Sequence, residues 1–427
     1  MGLIYRNSTV TVYAMASKGS KHGIIPQDVQ DEPNLPLPVS VKVSQGSEVA
    51  VTVLRQDFGE ETLKKLDNLC PLSSRGWCLQ ESILSPRHLY YGRSQIYWRC
   101  PHGYQAADGT SSGLRIPDDP LPNVSAVLYR DILRSQTDEL PAQRLLLEDY
   151  YSVVEQYSHR SLTFSSDKLP AFSGISERLH PVIGGRYLAG LWTKDLAAGL
   201  LWQTEMATCK HVKPYRAPSW SWAVTDEQIL FYEREAWPES SMGIRLVDYS
   251  IHLKDETNPY GEIKSASITV QGLILPVIRS RQHIQGFARG YYRGYLHFDD
   301  DPPRYEGDNP DMPRLRHCTF PMLFIAEDDD GVYLVAITFH LTGSDVEPEI
   351  EHSLFTSEEY LALIVCVDER KGDSEETVRS VRGLVVKPVY GRKEDGDITY
   401  ERVGKFDFQS LKISRLQAWE TRTLTLV

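Results

Sequence analysis

The stretch from Ser73 to Cys100 constrains the fold most, because its hydrophobic period changes once, at a proline. Ser73 or Ser74 offers a side-chain oxygen to cap a helix N-terminus, and Ser85-Pro86 ends that helix because a residue before proline is driven out of the α region. Within it, Trp77 and Glu81 stand four apart, as do Gln80 and Leu84, which sets polar groups beside an apolar stripe. After Pro86 the period falls to two. His88-Leu89-Tyr90-Tyr91 and Gln95 to Cys100 predict two strands that turn at Gly92-Arg93-Ser94. The element order is a helix followed by a hairpin.

The remainder predicts an α+β (mixed α/β) chain. With 427 residues, 41% of them hydrophobic, it has material for two or three domains. Val10, Val12 and Ala14 alternate with Thr9, Thr11 and Tyr13, a pattern that predicts a half-buried strand. Residues 19–59 hold Pro26, Pro33, Pro36 and Pro38 in a loop, with two short strands around Gln45-Gly46-Ser47, and Glu60 to Leu69 predicts a helical turn. Val124 to Leu133 and Gln143 to Ser158 have helical spacing. From about Pro238 onward short β-rich runs dominate: Ile244 to Val247, Ser267 to Val270, Leu273 to Leu275, Tyr333 to Ile337, Leu361 to Val367 and Gly383 to Val389. No fixed-period repeat is present. These shifts divide the chain at 1–105, 106–237 and 238–427.

A formal net charge of −12 argues against nucleic acid as the main partner, since no positive field is available. The six cysteines are scattered without a Cys-x-x-Cys pair, so neither a zinc module nor a disulfide framework is indicated, and a reducing, intracellular setting fits. The first residues lack a signal-peptide apolar core, and no apolar run approaches membrane-spanning length, so no membrane partner is expected.

Arg75-Gly76-Trp77-Cys78-Leu79-Gln80-Glu81, then Leu84, Arg87 and Trp98-Arg99-Cys100, resembles the closing signature of the fungal heterokaryon incompatibility (HET) domain, usually Arg-x-Trp-Thr-Leu-Gln-Glu, an Arg and Trp-Glu-Cys. Cys78 stands for the usual Thr and Arg99 for the usual Glu. Downstream, Tyr157 to Thr163, Asp167-Lys168-Leu169-Pro170-Ala171 and Tyr215-Arg216-Ala217-Pro218-Ser219-Trp220-Ser221-Trp222 resemble segments that follow the motif in family members. The family's earlier Ser-Tyr-x-Trp-Gly and Asp-x-x-Cys-Ile-x-Gln signatures have no counterpart, so the resemblance implies a partial HET-type α/β domain over 1–105, entered partway through, with a helical segment and a β-rich C-terminal domain after it.

The resemblance implies a cytoplasmic component of fungal nonself recognition that triggers programmed cell death. It would act through association with a protein, a second copy included, without a cofactor. Arg75, Trp77, Leu79, Gln80, Glu81, Arg87, Trp98, Cys100, Arg216, Pro218, Trp220 and Trp222 are the motif residues, with Arg75 and Glu81 expected as a polar pair orienting the helix. In an extended chain Arg216, Pro218, Trp220 and Trp222 would share one face, two indoles beside a guanidinium, with Ser219 and Ser221 on the other. An enzymatic alternative follows from the comparison of HET domains with Toll-receptor-like domains, some of which cleave NAD. There Glu81 is the candidate catalytic carboxylate, stabilising a ribosyl cation or activating water. A further alternative is an accessory role in a fungal metabolite gene cluster.

Other chemistries find little support. Glu327-Asp328-Asp329-Asp330-Gly331 fails as an EF-hand loop, with Ala326 and Ile337 where ligands are needed, and predicts a hairpin turn instead. The acidic stretch Asp299 to Asp311 reads as a solvated loop, and Gly286 to Gly294, which interleaves arginine with aromatics, as a strand or loop. Cys78, His88, Cys100 and His102 lack metal-site spacing, so no metal is expected. Gly-x-Ser-x-Gly, Gly-x-x-x-x-Gly-Lys and Gly-x-Gly-x-x-Gly are absent from the sequence.

Overall fold

The computed structural model describes residues 2–17, 19–24, 37–44, 47–53, 61–93, 95–107, 111–112, 122–129, 141–205, 209–231, 243–285, 294–298, 319–328, 331–340, 360–370, 378–389, 398–412 and 419–427. Helices and several sheets share the chain, a mixed α+β fold, and it divides into two compact units: Met1–Pro141 with Arg160–Leu162, and Ala142–His159 with Thr163–Val427. No helix among the described residues is long and apolar enough to cross a membrane.

The first unit runs α1 (Gly2–Arg6), β1 (Thr11–Ala14), β2 (Leu37–Ser44), β3 (Ser47–Val53), α2 (Leu63–Leu69), α3 (Gly76–Leu84), β4 (His88–Tyr91), β5 (Ile96–Cys100), β6 (Gly103–Ala106), β7 (Ser111–Ser112) and α4 (Pro122–Leu128). Strands β1-β4-β5-β6-β7 form one sheet in that order, with β1 parallel to β4 and the other pairs antiparallel, and β2 and β3 form a separate hairpin. The register sets Tyr13 beside Tyr90, Tyr90 beside Tyr97 and Tyr97 beside Ala106, so one row of side chains crosses four strands on the buried face. Tyr13 points inward, and Val12, on the alternate face, is 47% exposed. Met15, Leu66 and Cys70 complete this core. At the β4–β5 turn the Gly92 N–H donates to the Gln95 carbonyl at 2.9 Å, and a Cβ on Gly92 would lie 2.8 Å from that same oxygen, which is why glycine stands there.

The second unit holds α5 (Gln143–Ser158), α6 (Pro170–Ile183), β8 (Tyr187–Leu188), β9 (Leu191–Trp192), α7 (Leu196–Leu200), β10 (Gln203–Thr204) and β11 (Ile229–Leu230). Then come β12 (Ile244–Leu253), β13 (Ile263–Gln285), β14 (Gly294–Phe298), β15 (Thr319–Asp328), β16 (Gly331–His340), β17 (Tyr360–Arg370), β18 (Val378–Val389), β19 (Thr399–Lys412) and β20 (Glu420–Leu426). Helix α5 buries Leu146, Tyr150, Val153, Val154 and Tyr157, the spacing read from sequence, against Phe172 of α6. The strands β12 to β20 are one sheet. Its hydrogen-bonded path runs β13-β16-β15-β14-β19-β18-β17 and returns to β13, because residues 274–277 pair with β17 while 277–285 pair with β16. A 23-residue strand can serve both ends of the path, and the closure removes two open edges. Leu275, Ile364, Val381, Val385, Phe406, Phe408 and Trp419 fill its core. The hairpin expected at 327–331 forms, with Asp328 opposite Gly331, while the stretches 286–293 and 299–311 lie outside the described residues.

Candidate functional site

Helix α3 is held by backbone groups far away in sequence. The expected serine cap does not form: Arg75 occupies the cap position with no side-chain hydrogen bond. Ser73 Oγ donates instead to Asp67 at 2.6 Å, and Ser74 Oγ to the Pro71 carbonyl at 2.9 Å. The first-turn N–H of Gly76 donates to the Ser161 carbonyl at 2.8 Å, and Ser161 N–H to the Ser74 carbonyl at 2.6 Å, so segment 160–162 satisfies the helix start as a strand would. At the other end Ser85 caps the helix before Pro86, and the Tyr129 hydroxyl meets the Ile83 and Ser85 carbonyls at 2.7 and 3.0 Å. Thr11 of β1 binds the Ser85 hydroxyl at 2.7 Å.

The helix buries Gly76, Cys78, Leu79, Gln80 and Leu84 and leaves Trp77 and Glu81 half-buried. Arg75 is exposed and is not ion-paired with Glu81, a correction to the expected polar pair. The Glu81 carboxylate faces the Tyr5 phenol of α1. Burial, then hydrogen bonding and repulsion from Glu81, push that phenol up to about 12. Burial pushes the Cys78 thiol up to about 11, with Glu81 adding to it and Arg75 and Arg160 opposing, so Cys78 stays protonated and is not a nucleophile at neutral pH. Arg87 and Cys100 are half-buried, and Trp98 is 36% exposed on β5.

In the same unit, Tyr13, Tyr90 and His88 stack, with ring centroids 5.1 Å apart for Tyr13–Tyr90 and 5.5 Å for His88–Tyr90. Both His88 ring nitrogens and the Tyr13 hydroxyl are buried without a hydrogen-bond partner in good geometry among the described residues. Burial first, then the Arg99 charge, hold His88 down at about 3, offset slightly by the Ser82 backbone. A histidine so placed is neutral and unavailable for proton transfer at neutral pH. The cluster is therefore rich in titratable groups and locked in neutral forms. Among the described residues no group of three or more His, Cys, Asp or Glu is placed to hold a metal ion.

In the second unit the Arg216 to Trp222 segment is not a strand. It passes through turns into a 3-10 helix over Trp222–Val224, so the alternating faces do not arise. Both indoles are fully buried, and so are Ser219 and Ser221. Ser221 Oγ donates to the Ala189 carbonyl at 2.5 Å and accepts from the Ala223 N–H at 3.1 Å. Ser219 Oγ donates to the Val427 carbonyl and accepts from the Arg402 N–H at 2.8 Å. Trp222 Nε1 donates to the Gly190 carbonyl at 2.9 Å, and Trp220 Nε1 to the Leu426 carbonyl at 3.3 Å. The guanidinium on an indole is not Arg216. Arg402 lies 3.6 Å over the Trp202 ring and donates to the Trp202 carbonyl at 2.7 Å. Sequence reasoning gave Arg402, Trp202 and Lys168 no individual role, and weighed His88 only as a strand residue and a metal ligand. The pairing of Arg402 with Trp202 was not legible, since the two lie 200 positions apart. No family model, curated protein or solved structure matches the chain.

Proposed function

We propose that the chain is a heterokaryon incompatibility-type protein that acts in the cytoplasm, in fungal nonself recognition leading to cell death, through association with a protein partner, a second copy of the chain included. The motif resemblance at Arg75 to Glu81 suggests the family, and one observation carries the association. Strand β1 lies at the sheet margin, hydrogen-bonded on one side to β4 alone among the described strands; its Val12 is 47% exposed, and Leu3 and Ile4 of the preceding helix are 62% and 65% exposed. An open strand edge with an exposed apolar side chain is the kind of surface that β-strand addition uses. The locked titration states of Cys78 and His88 also favour binding over chemistry. The test is expression in a filamentous fungus with viability of fusion cells as readout. Death that depends on the chain and is lost in Val12→Lys is expected, and fusion cells indifferent to the chain overturn the reading.

The NAD-cleaving alternative is favoured by the half-buried Glu81 carboxylate, which has no paired cation among the described residues and a phenol beside it. NAD consumption by the purified chain that disappears in Glu81→Gln would establish it, and no consumption by the unaltered chain removes it.

A further inference from the structure

Two of the segments singled out in the sequence, Asp167 to Ala171 and Arg216 to Trp222, bring their cations together in the second unit. Lys168 stands just ahead of α6 with 1% of its surface exposed, and its carbonyl accepts the Tyr157 hydroxyl at 2.7 Å. Its ammonium lies 5.3 Å from the Tyr157 ring centroid. Arg216, also buried, donates through Nε to the Ala223 carbonyl at 2.7 Å and through Nη1 to the Ser165 carbonyl and the Asp226 carboxylate, at 3.0 and 2.6 Å. Its Nη2 is buried without a partner. Asp226 is ion-paired with Arg216 and its side chain is 60% exposed, so the cluster reaches solvent at that residue.

Burying an ammonium is costly, and a second cation nearby adds to the cost. The tyrosine face offsets part of this. Deprotonation does not remove it: burial and the Arg216 charge bring Lys168 down to about 8, so it remains mostly charged at neutral pH. Asp226 offsets part of the two charges, and Arg216 Nη2 has no acceptor among the described residues. An arginine N–H and a lysine point charge converging from two segments match a phosphate group.

We infer that Lys168 and Arg216 form a buried binding site for a phosphate group, entered past Asp226. This does not rest on the incompatibility reading. The test uses the full chain and inorganic phosphate, with sodium chloride at matched ionic strength as reference, followed by thermal denaturation and calorimetric titration. A saturable rise in melting temperature with phosphate over chloride is expected. A small phosphate monoester run in parallel separates the sources: tighter binding than inorganic phosphate points to a larger ligand's phosphate, equal binding to the free anion.

Lys168→Met keeps the aliphatic stem. It is expected to weaken phosphate binding by about tenfold or more and to melt higher than the unaltered chain in phosphate-free buffer, because a desolvated charge is gone. A lysine held only for its contact with Tyr157 would give the reverse, a lower melting temperature. Asp226→Asn is expected to tighten phosphate binding by removing the competing carboxylate, with its melting temperature in phosphate-free buffer read alongside because the carboxylate pairs with buried Arg216. Absence of a saturable phosphate response in the unaltered chain, its persistence in Lys168→Met, or weaker binding in Asp226→Asn overturns the inference.

Discussion

At the scale of single residues, His88 is the least expected member of the first unit's core. Its position was legible as a strand residue, and the pairing of His88 with Arg99 follows from the hairpin that the sequence predicts. Its isolation was not legible, because that depends on Tyr13 and Tyr90 closing over the ring. The consequence is a pH dependence with a definite sign. Folded His88 titrates at about 3, against 6.5 when unfolded, so between those values the unfolded chain binds the extra proton. The stabilisation is complete above pH 6.5 and is lost as pH falls toward 3, at up to about 1.4 kcal/mol per pH unit. His88→Phe, which keeps a flat ring in the stack, is expected to flatten that acid limb in urea titrations from pH 7 to 4. An unchanged acid limb would mean that His88 accepts its proton in the folded state.

At the scale of elements, most of the secondary structure was legible. The helix ending at Pro86, the 88–100 hairpin, α2, α5 and the C-terminal strands all form where period and punctuation put them. Helix α2 even has its local cap, Thr62 Oγ accepting from the Lys65 N–H at 3.2 Å. The errors share a cause. Helix α3 had two serines in cap position, yet its start is satisfied by Ser161, a partner that no window of local sequence contains. The Trp220 segment alternates like a strand, but the serines that alternation would turn to solvent are hydrogen-bonded inside. Ser161→Pro deletes the N–H that binds the Ser74 carbonyl and is expected to cost about 1 kcal/mol or more. Amide exchange in the first turn of α3 should accelerate, while Ser161→Ala, which keeps the backbone donor, should leave it unchanged. Equal exchange in both variants would show that the 160–162 segment does not hold the helix start.

At the scale of the molecule, what sequence could not give is the way the second unit closes on itself. Trp202 donates to the Trp220 carbonyl at 2.9 Å, Trp220 donates to the Leu426 carbonyl, and Arg402 reaches back to the Trp202 carbonyl, so helical and sheet portions meet in one set of buried bonds. Gly190 fits the same set. Its φ of 98° and the Trp222 Nε1, 2.5 Å from where a Cβ would stand, exclude any side chain. Strand β20 then pairs with β13 along Ile268 to Ile274 and with β19 at Thr399 and Tyr400. Trp220 fixes the Leu426 carbonyl of β20 through its indole and the Trp202 indole through its own carbonyl. Trp220→Ala leaves an indole-sized void and an acceptor on Leu426 without its donor, and is expected to destabilise the unit by about 3 to 5 kcal/mol. Trp220→Phe keeps most of the volume and loses chiefly the Nε1 bond, so about 1 to 2 kcal/mol is expected. Denaturant unfolding followed by near-ultraviolet circular dichroism reads both. Losses of similar, small size in the two variants would mean that the void collapses and that the closing contacts lie elsewhere, on Arg402 and Ser219.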